Sequence, residues 1–143
     1  MTLRAGTTLE QFARRGVGFL PGLIGLRFTA IGETRIDAEL EIRPELLAPN
    51  GYLHAATVIA LADTACGYGC LAHLPPGADN FTTVELKSNF LGTARDGTID
   101  CVATPAHLGN TTQIWDAVVS DRARRRTLAL FRCTQLVLWP RKA

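Results

Sequence analysis

Apolar and polar residues alternate in one early stretch of the chain with the two-residue period of a β-strand. From Thr34 to Ile42, every second residue is Thr, Ile, Ala or Leu, and the residues between them are Arg, Asp and Glu. A strand with this pattern buries one face and leaves the other in water. The pattern therefore predicts an antiparallel sheet covered on one side, in preference to a doubly wound parallel sheet.

Residues 54–71 are apolar almost throughout and predict one long helix. Turn sequences bound this helix, with Pro-Asn-Gly at residues 49–51 and Pro-Pro-Gly at residues 75–77. Its apolar residues cover nearly the whole helical circumference instead of one stripe, so the helix should be buried on most sides. We expect a sheet to wrap around it.

Shorter elements are predicted on either side of this helix. Thr7 or Thr8 can cap a short N-terminal helix that stops at Gly16. The glycines that follow are interpreted as a turn and not as a phosphate loop, because they come after a helix and include Pro21. Residues 25–42 hold two strands. Four further strands are expected at residues 81–90, 98–104, 111–120 and 127–139, joined by hairpin-type connections.

The predicted order is helix, two strands, one buried helix and four strands. Sequential hairpins around a single apolar helix give an α+β fold, with a curved antiparallel sheet wrapped around one long central helix. With 143 residues the chain has the size of one domain. We therefore expect residues 1–143 to form a single domain, of which residues 1–22 are an N-terminal helix and turn.

Charge and composition exclude several classes of function. Fifteen Lys and Arg against thirteen Asp and Glu leave a formal net charge of +2, which is too even for a protein that mainly binds nucleic acid. The N-terminus lacks the apolar stretch of a secretory signal, and no later apolar run free of Asp, Arg, Gly or Pro is long enough to span a bilayer. We expect a cytoplasmic protein with no membrane partner, whose four cysteines are small buried hydrophobes.

Motifs of other chemistries are missing from the sequence. Cys66, Cys70 and His73 lie near one helix end, but their spacing is not that of a zinc knuckle, so no metal site is expected. Neither Ser88 nor Ser120 lies in a G-x-S-x-G elbow. A Walker loop and a dinucleotide fingerprint are also absent from the sequence.

Asp63 is the only formally charged residue between Glu45 and Asp79, and it lies in the middle of the apolar helix. A carboxylate buried without partners is strongly unfavourable, so Asp63 needs hydrogen bonds, a raised pKa or a water-filled site. It can tie the helix to a backbone amide or a partner subunit, or it can be catalytic. The residues alone leave both interpretations open.

The N-terminus of the same helix offers a second candidate group. Asn50, Gly51 and His54 lie there, where free backbone N–H groups and the helix dipole favour negative charge. These amides and Asp63 could together polarise a carbonyl and activate water, as hydrolysis of an acyl group requires. Taken alone, His54 is expected to be an N-capping or core histidine, and Asn50 a turn residue.

The segment N-G-Y-L-H-A-A-T-V-I-A-L-A-D-T-A, residues 50–65, resembles the hotdog-fold acyl-CoA thioesterases of the phenylacetate-pathway (PaaI-like) group. In that family a G-x-x-H-G-G segment opens the central helix, and an acidic residue follows nine positions after the His. Gly51, His54 and Asp63 match this spacing. The resemblance covers nearly the whole chain, since the predicted order of elements is that of a hotdog domain.

The resemblance implies a role for each matching residue. Asp63 would be the catalytic carboxylate, acting as a general base on water or as a nucleophile on the thioester. The backbone N–H of Ala55 would hold the thioester oxygen. Asn50 would orient the carbonyl or the water, although it adjoins the glycine instead of preceding it by a few residues. Thr83 would approach the acidic residue from the partner subunit.

One departure from the family pattern concerns both glycines of H-G-G, which are Ala55 and Ala56 here. Alanine still offers its amide, so oxyanion binding survives. Its methyl group either narrows the channel for the acyl chain or marks a member with altered activity.

The resemblance further implies an acyl-CoA thioesterase that releases a free acid and coenzyme A, with no cofactor beyond the coenzyme A of its substrate. Family members are homodimers or homotetramers with active sites at the subunit interface. Two alternatives are a non-catalytic acyl-CoA binding protein and a hotdog enoyl-CoA hydratase, although the H-F-P-x segment of the hydratases is absent. Candidate contacts for the coenzyme A phosphates are Lys87, Arg95, Arg124 and Arg125.

Overall fold

Six antiparallel strands form one sheet against a long central helix in the computed structural model, which describes residues 2–141. The strands are β1 (Arg27–Ile31), β2 (Ile36–Glu41), β3 (Asn80–Phe90), β4 (Thr98–Leu108), β5 (Thr112–Asp121) and β6 (Arg126–Leu138). Their order across the sheet is β1-β2-β4-β5-β6-β3. This arrangement confirms the predicted α+β class.

Three α-helices accompany the sheet: α1 (Leu9–Gly16), α2 (Leu20–Ile24) and α3 (Ala55–Ala72), with a 3₁₀ turn at Pro44–Leu46. Thr8 caps α1 as predicted, because its side chain accepts a hydrogen bond from the N–H of Gln11 at 3.1 Å. The prediction of a plain turn after α1 is wrong, since α2 lies there. Proline is well tolerated in the first turn of a helix, and Gly25, at φ 79°, ends α2 in the left-handed conformation.

The alternation in β2 has the predicted consequence. Ile36, Ala38 and Leu40 are at most 2% exposed, and they face the core. On the opposite face Glu39 forms ion pairs with Arg27, at 2.6 Å, and with Arg122. At β2 one face of the sheet is therefore apolar and covered, and the other is charged and exposed to water.

Helix α3 packs against the strands from β2 to β6. By length and composition alone it could cross a membrane, but more than half of it is buried inside the protein, as in a core helix. Leu61 and Cys66 are completely buried. Its first half has one open face, on which Ala55 and Ala56 are exposed and Asp63 is half-buried. The helix is thus buried on most sides, as predicted, except where the candidate residues lie.

A chain of buried hydrogen bonds fixes the C-terminal end of α3. His73 is 1% exposed, and its two ring nitrogens each lie 2.8 Å from a carbonyl oxygen, one of Gly69 and one of Glu33. Gln113 Nε2 donates to the His73 carbonyl at 2.9 Å, and Trp115 Nε1 donates to Gln113 Oε1 at 2.9 Å. The helix end is thereby tied both to the β1–β2 turn and to β5.

Gly69 lies where the ring of Trp115 packs directly on the backbone of α3, and we expect Gly69→Ala to destabilise the fold. An added Cβ would approach Trp115 Cζ3 to 2.6 Å, and the ring is fully buried and held by the bond from its Nε1 to Gln113. Alanine gains about 1 kcal/mol of helix propensity over glycine, but overpacking costs about 1–3 kcal/mol and sometimes more. Because the contact at 2.6 Å forces a shift, we expect an overpacking cost of about 2–3 kcal/mol, so the free energy of unfolding, measured in urea, should fall by about 1–2 kcal/mol net.

Gly67→Ala is the matched comparison on the same helix. Its Cβ would meet the Phe81 ring at 2.8 Å, but Phe81 is only half-buried and has more freedom to turn. We expect a smaller loss of stability than for Gly69→Ala. A Gly69→Ala protein as stable as the wild type would contradict this account of the Trp115 contact.

Candidate active site

Asp63 lies on the open face of α3, about two turns after the helix begins. Its Oδ1 accepts a hydrogen bond from Thr83 Oγ1 at 3.2 Å, and it forms no ion pair or main-chain hydrogen bond within residues 2–141. Burial raises the pKa of the Asp63 carboxyl above its ordinary value, and the bond from Thr83 partly opposes this rise. A half-buried carboxylate with a raised pKa and no cationic partner is suited to accept a proton and poorly suited to brace a scaffold.

Thr83, in β3, stands between Asp63 and a glutamine in the core. Its Oγ1 lies 3.2 Å from Asp63 Oδ1 and 2.8 Å from Oε1 of Gln135, which is fully buried in β6. A hydroxyl has one hydrogen, so Thr83 donates to only one of these oxygens at a time. With the Gln135 amide turned over, its NH₂ would donate to Thr83 and leave the hydroxyl proton for Asp63. Gln135 therefore sets how strongly Thr83 stabilises the charged carboxylate.

This cluster differs from the sequence expectation in one contact and adds one residue to it. The resemblance implied that Thr83 reaches the acidic residue from the partner subunit, but the contact with Asp63 forms within one chain. Gln135 was missed. The available signal was a polar residue at an inward position of β6, whose neighbours on that face, Cys133 and Val137, are apolar.

His54 is the N-cap of α3, as expected for this residue taken alone. Its Nδ1 accepts a hydrogen bond from the N–H of Ala56 at 2.9 Å, and its carbonyl accepts from Thr57 at 3.0 Å. The N–H of Ala55 has no acceptor within residues 2–141. Because Ala55 is exposed, this free amide can bind an oxygen that carries negative charge.

Asn50 occupies the turn before α3, as expected. Its Oδ1 accepts a hydrogen bond from the N–H of Tyr52 at 3.1 Å, and the side chain is exposed. This contact is an Asx turn, which favours asparagine at this position without any chemical role. The side-chain NH₂ of Asn50 is the group left to face a ligand.

The two ends of the candidate site are far apart within one chain. Ala55 and Asp63 are eight residues apart in α3, which separates them by about 12 Å along the helix at 1.5 Å per residue. A carbonyl bond is about 1.2 Å long, so one thioester cannot contact both groups of the same chain. The joint action expected from the sequence therefore requires two copies of α3.

The four basic residues predicted as phosphate contacts lie in different settings. Arg95, in the loop after β3, stacks over the ring of Tyr52 at 4.5 Å and so lies near the start of α3. Arg124 forms ion pairs with Asp96 and Asp121, so a phosphate would compete with these two carboxylates for it. Arg125 is exposed in the β5–β6 turn at φ 50°, and Lys87 is exposed on β3.

The cysteines are buried, as predicted. Burial raises the pKa of the Cys70 thiol to about 12, so it stays protonated and unreactive at neutral pH. Within residues 2–141 no three His, Cys, Asp or Glu side chains are grouped as metal ligands. The candidate chemistry therefore rests on Asp63 and on the amide of Ala55.

Comparison with known proteins identifies a family and several relatives that this chain resembles. The family model of the Thioesterase superfamily matches residues 50–127. The 1,4-dihydroxy-2-naphthoyl-CoA hydrolase of Escherichia coli (strain K12) is 29% identical over 121 residues, covering 82% of this chain and 86% of that protein. The proofreading thioesterase EntH of Cronobacter turicensis is 29% identical over 121 residues, covering 83% and 86%. The crystal structure of a mutant thioesterase PA1618 from Pseudomonas aeruginosa has a TM-score of 0.90 at 25% identity, covering 96% of this chain and 99% of that one.

Proposed function

Because this chain belongs to the thioesterase superfamily and has its hotdog fold, we propose that it is an acyl-CoA thioesterase. Family membership identifies a thioester hydrolase, so it weighs against both alternatives considered from the sequence, a non-catalytic binder and an enoyl-CoA hydratase. The observation that carries the proposal is Asp63, a half-buried carboxylate on the open face of α3 that has a raised pKa and no cationic partner among residues 2–141.

A coenzyme A ester is the proposed substrate class. The Escherichia coli relative is named a hydrolase of 1,4-dihydroxy-2-naphthoyl-CoA, which supports a thioester of the same carrier here. Within residues 2–141, Lys87, Arg95 and Arg125 form no ion pair, so their charges are available for phosphate groups. Arg95 is the strongest of these candidates, because it lies beside the loop that leads into α3.

We further propose that the active site forms between two copies of the chain. The Asp63 carboxylate of one copy would face the thioester whose oxygen is held by the Ala55 amide of the other. One thioester could then contact both groups, although they lie about 12 Å apart within one chain. The edge strand β3 supports pairing, since its 11 residues have one unpaired side and expose Val84 and Leu86. A homodimer is the smallest assembly that satisfies this requirement, and a homotetramer built from such dimers also does.

Hydrolysis then proceeds without a cofactor. Asp63 takes a proton from water, whose oxygen attacks the thioester carbon while the Ala55 N–H binds the developing oxyanion. The tetrahedral intermediate expels the coenzyme A thiolate, which receives the proton from Asp63.

Alternatively, the Asp63 carboxylate attacks the carbon directly, and water hydrolyses the resulting anhydride. When water attacks the Asp63 carbon of this anhydride and the acid leaves with an Asp63 oxygen, a single turnover in ¹⁸O-water leaves the label on Asp63, which the general-base route never does.

The proposal is tested by incubating the purified protein with a panel of acyl-CoA esters and measuring release of free thiol. We expect turnover of at least one ester, with the free acid and coenzyme A as the only products. Binding of every ester without thiol release would contradict the proposed function.

Thr83→Val is expected to move the acidic limb of the pH profile of kcat/KM to higher pH. The hydroxyl of Thr83 lowers the pKa of Asp63, so removing it raises that pKa further. A base with a higher pKa stays protonated, and therefore inactive, up to a higher pH. Thr83→Ser keeps the hydroxyl and should leave the limb in place. A Thr83→Val limb that stays fixed or moves to lower pH would show that this bond does not tune Asp63.

A further inference from the structure

A groove of about 480 Å³ lies between α2 and the first half of α3. This volume is within the range of small-molecule sites. Leu20 and Leu23, on α2, are 55% and 71% exposed, which leaves much apolar surface in water. The aliphatic lining consists of Leu20, Leu23, Ile24, Leu46, Ala56 and Ala60.

The floor of this α2–α3 groove is continuous with the candidate active site. Ala56, Ala60 and Asp63 are spaced four and three residues apart, so they lie along one face of α3. Ala56 also directly follows Ala55, whose N–H is free. A ligand whose carbonyl binds that amide therefore has the groove next to it.

The polar group on the rim is already occupied by the protein. Arg43 donates from Nη1 to the carbonyl of Ile24 at 2.8 Å and from Nη2 to that of Leu23 at 2.5 Å, and it forms an ion pair with Glu45 at 3.7 Å. These bonds hold the last carbonyls of α2 and so fix the outer wall of the groove. The guanidinium has little capacity left for a ligand.

Besides Arg43 and its partner Glu45 on the rim, Thr57 is the third polar residue of the lining. It is 8% exposed, and its hydroxyl donates to the carbonyl of Leu46 at 2.8 Å. A ligand hydroxyl packed on the floor of the α2–α3 groove would exchange hydrogen bonds to water for contact with Leu46, Ala56 and Ala60. The groove thus selects against hydroxylated groups and in favour of plain hydrocarbon.

We propose that the α2–α3 groove binds the acyl chain of the substrate, and that this chain is an unsubstituted aliphatic one. The inference rests on the proposed thioesterase function, and it names the substrate class of that site. The proposed acyl group differs from that of the Escherichia coli relative, whose name specifies a dihydroxylated aromatic acyl group. The chain enters beside Ala56 and runs along Ala60 towards the leucines of α2.

The first experiment measures kcat/KM for acetyl-, butyryl-, hexanoyl- and octanoyl-CoA and for salicyl-CoA. Burial of each methylene should raise kcat/KM by about fourfold until the groove is full. Salicyl-CoA should be a poorer substrate than hexanoyl-CoA. Flat dependence on chain length, or preference for salicyl-CoA, overturns the inference and leaves the proposed function standing. Absence of hydrolysis with every ester defeats the proposed function itself.

The second experiment compares two substitutions that each place an aspartate at an exposed aliphatic position. Leu23 and Val17 are 71% and 72% exposed, but only Leu23 lines the groove. Leu23→Asp should lower the ratio of kcat/KM for octanoyl-CoA to that for acetyl-CoA by at least about tenfold. Val17→Asp should leave this ratio within about twofold of the wild type. Equal ratios in the two variants overturn the inference.

Ala60→Phe adds a check that does not depend on charge, since its ring would fill the floor of the groove. The same ratio should fall, with little change in melting temperature.

Light scattering on each variant tests the competing occupant, a second copy of the chain. A change of oligomeric state with Leu23→Asp or Ala60→Phe, but not with Val17→Asp, would assign the groove to the subunit interface and overturn its role in acyl binding.

Discussion

Asp63→Asn should lower kcat/KM for acyl-CoA hydrolysis by about a hundredfold or more, the scale expected for loss of a positioned base. The amide has nearly the shape of the carboxyl and can still accept the hydrogen bond from Thr83, so the geometry of the site is preserved. It cannot take a proton from water or attack a thioester. Thiol release is measured at acyl-CoA concentrations both below and above the KM of the wild type.

The same substitution should raise the melting temperature at neutral pH. Burial raises the pKa of Asp63 in the folded state above its value in the unfolded chain. The stability associated with such a group is complete below the unfolded pKa, and it is lost as the pH rises through the folded pKa. At neutral pH the wild type therefore carries a desolvated charge that Asn lacks. The difference in melting temperature should shrink in acid, where the wild-type carboxyl is protonated.

These two readouts separate catalysis from scaffolding. If Asp63 braced the helix, Asp63→Asn would lower activity and stability together. Asp79→Asn, at an exposed aspartate outside the cluster, is the control and should change neither activity nor melting temperature by much. Full activity in Asp63→Asn would remove the carboxylate from the mechanism.

The elements that the sequence predicts well are those in which periodicity reports burial. The alternation in β2 and the continuous apolar run of α3 are direct consequences of which side chains face the core, as Leu40 and Leu61 illustrate. Helix α2 was missed because Pro21 and Gly22 are typical of turns, and its five residues are too few to show a helical period. Its position nevertheless decides where the α2–α3 groove lies.

The candidate site is predictable only where a residue contrasts with its own segment. Asp63 stands out as a charge in an apolar helix, whereas Gln135 acts on it through Thr83, a residue 52 positions away in sequence. That contact depends on the register of β3 against β6, which no local pattern specifies. The resemblance already implied active sites at the subunit interface, but the physical reason for it, the separation of about 12 Å between Ala55 and Asp63 along one helix, follows only from the structure.

Ala55→Pro should lower kcat by about a hundredfold to a thousandfold with little loss of stability, because it deletes a single N–H. Ala55 is the first residue of α3, where proline is favoured, and its N–H has no acceptor within residues 2–141. His54 has ψ 135°, an extended conformation compatible with a following proline. Ala55→Gly keeps the amide and should retain activity. A fully active Ala55→Pro protein would place the oxyanion site elsewhere.

Mixing the two inactive variants tests whether the site spans two chains. In a dimer of one Ala55→Pro chain and one Asp63→Asn chain, one of the two sites combines an intact Ala55 amide with an intact Asp63, and the other site has neither. Random reassociation of equal amounts makes half of the dimers mixed, so about a quarter of the wild-type activity should return. If each site lay within one chain, every site would carry a defect and no activity would return. Recovery therefore requires that Asp63 of one copy acts on a thioester bound by the Ala55 amide of the other.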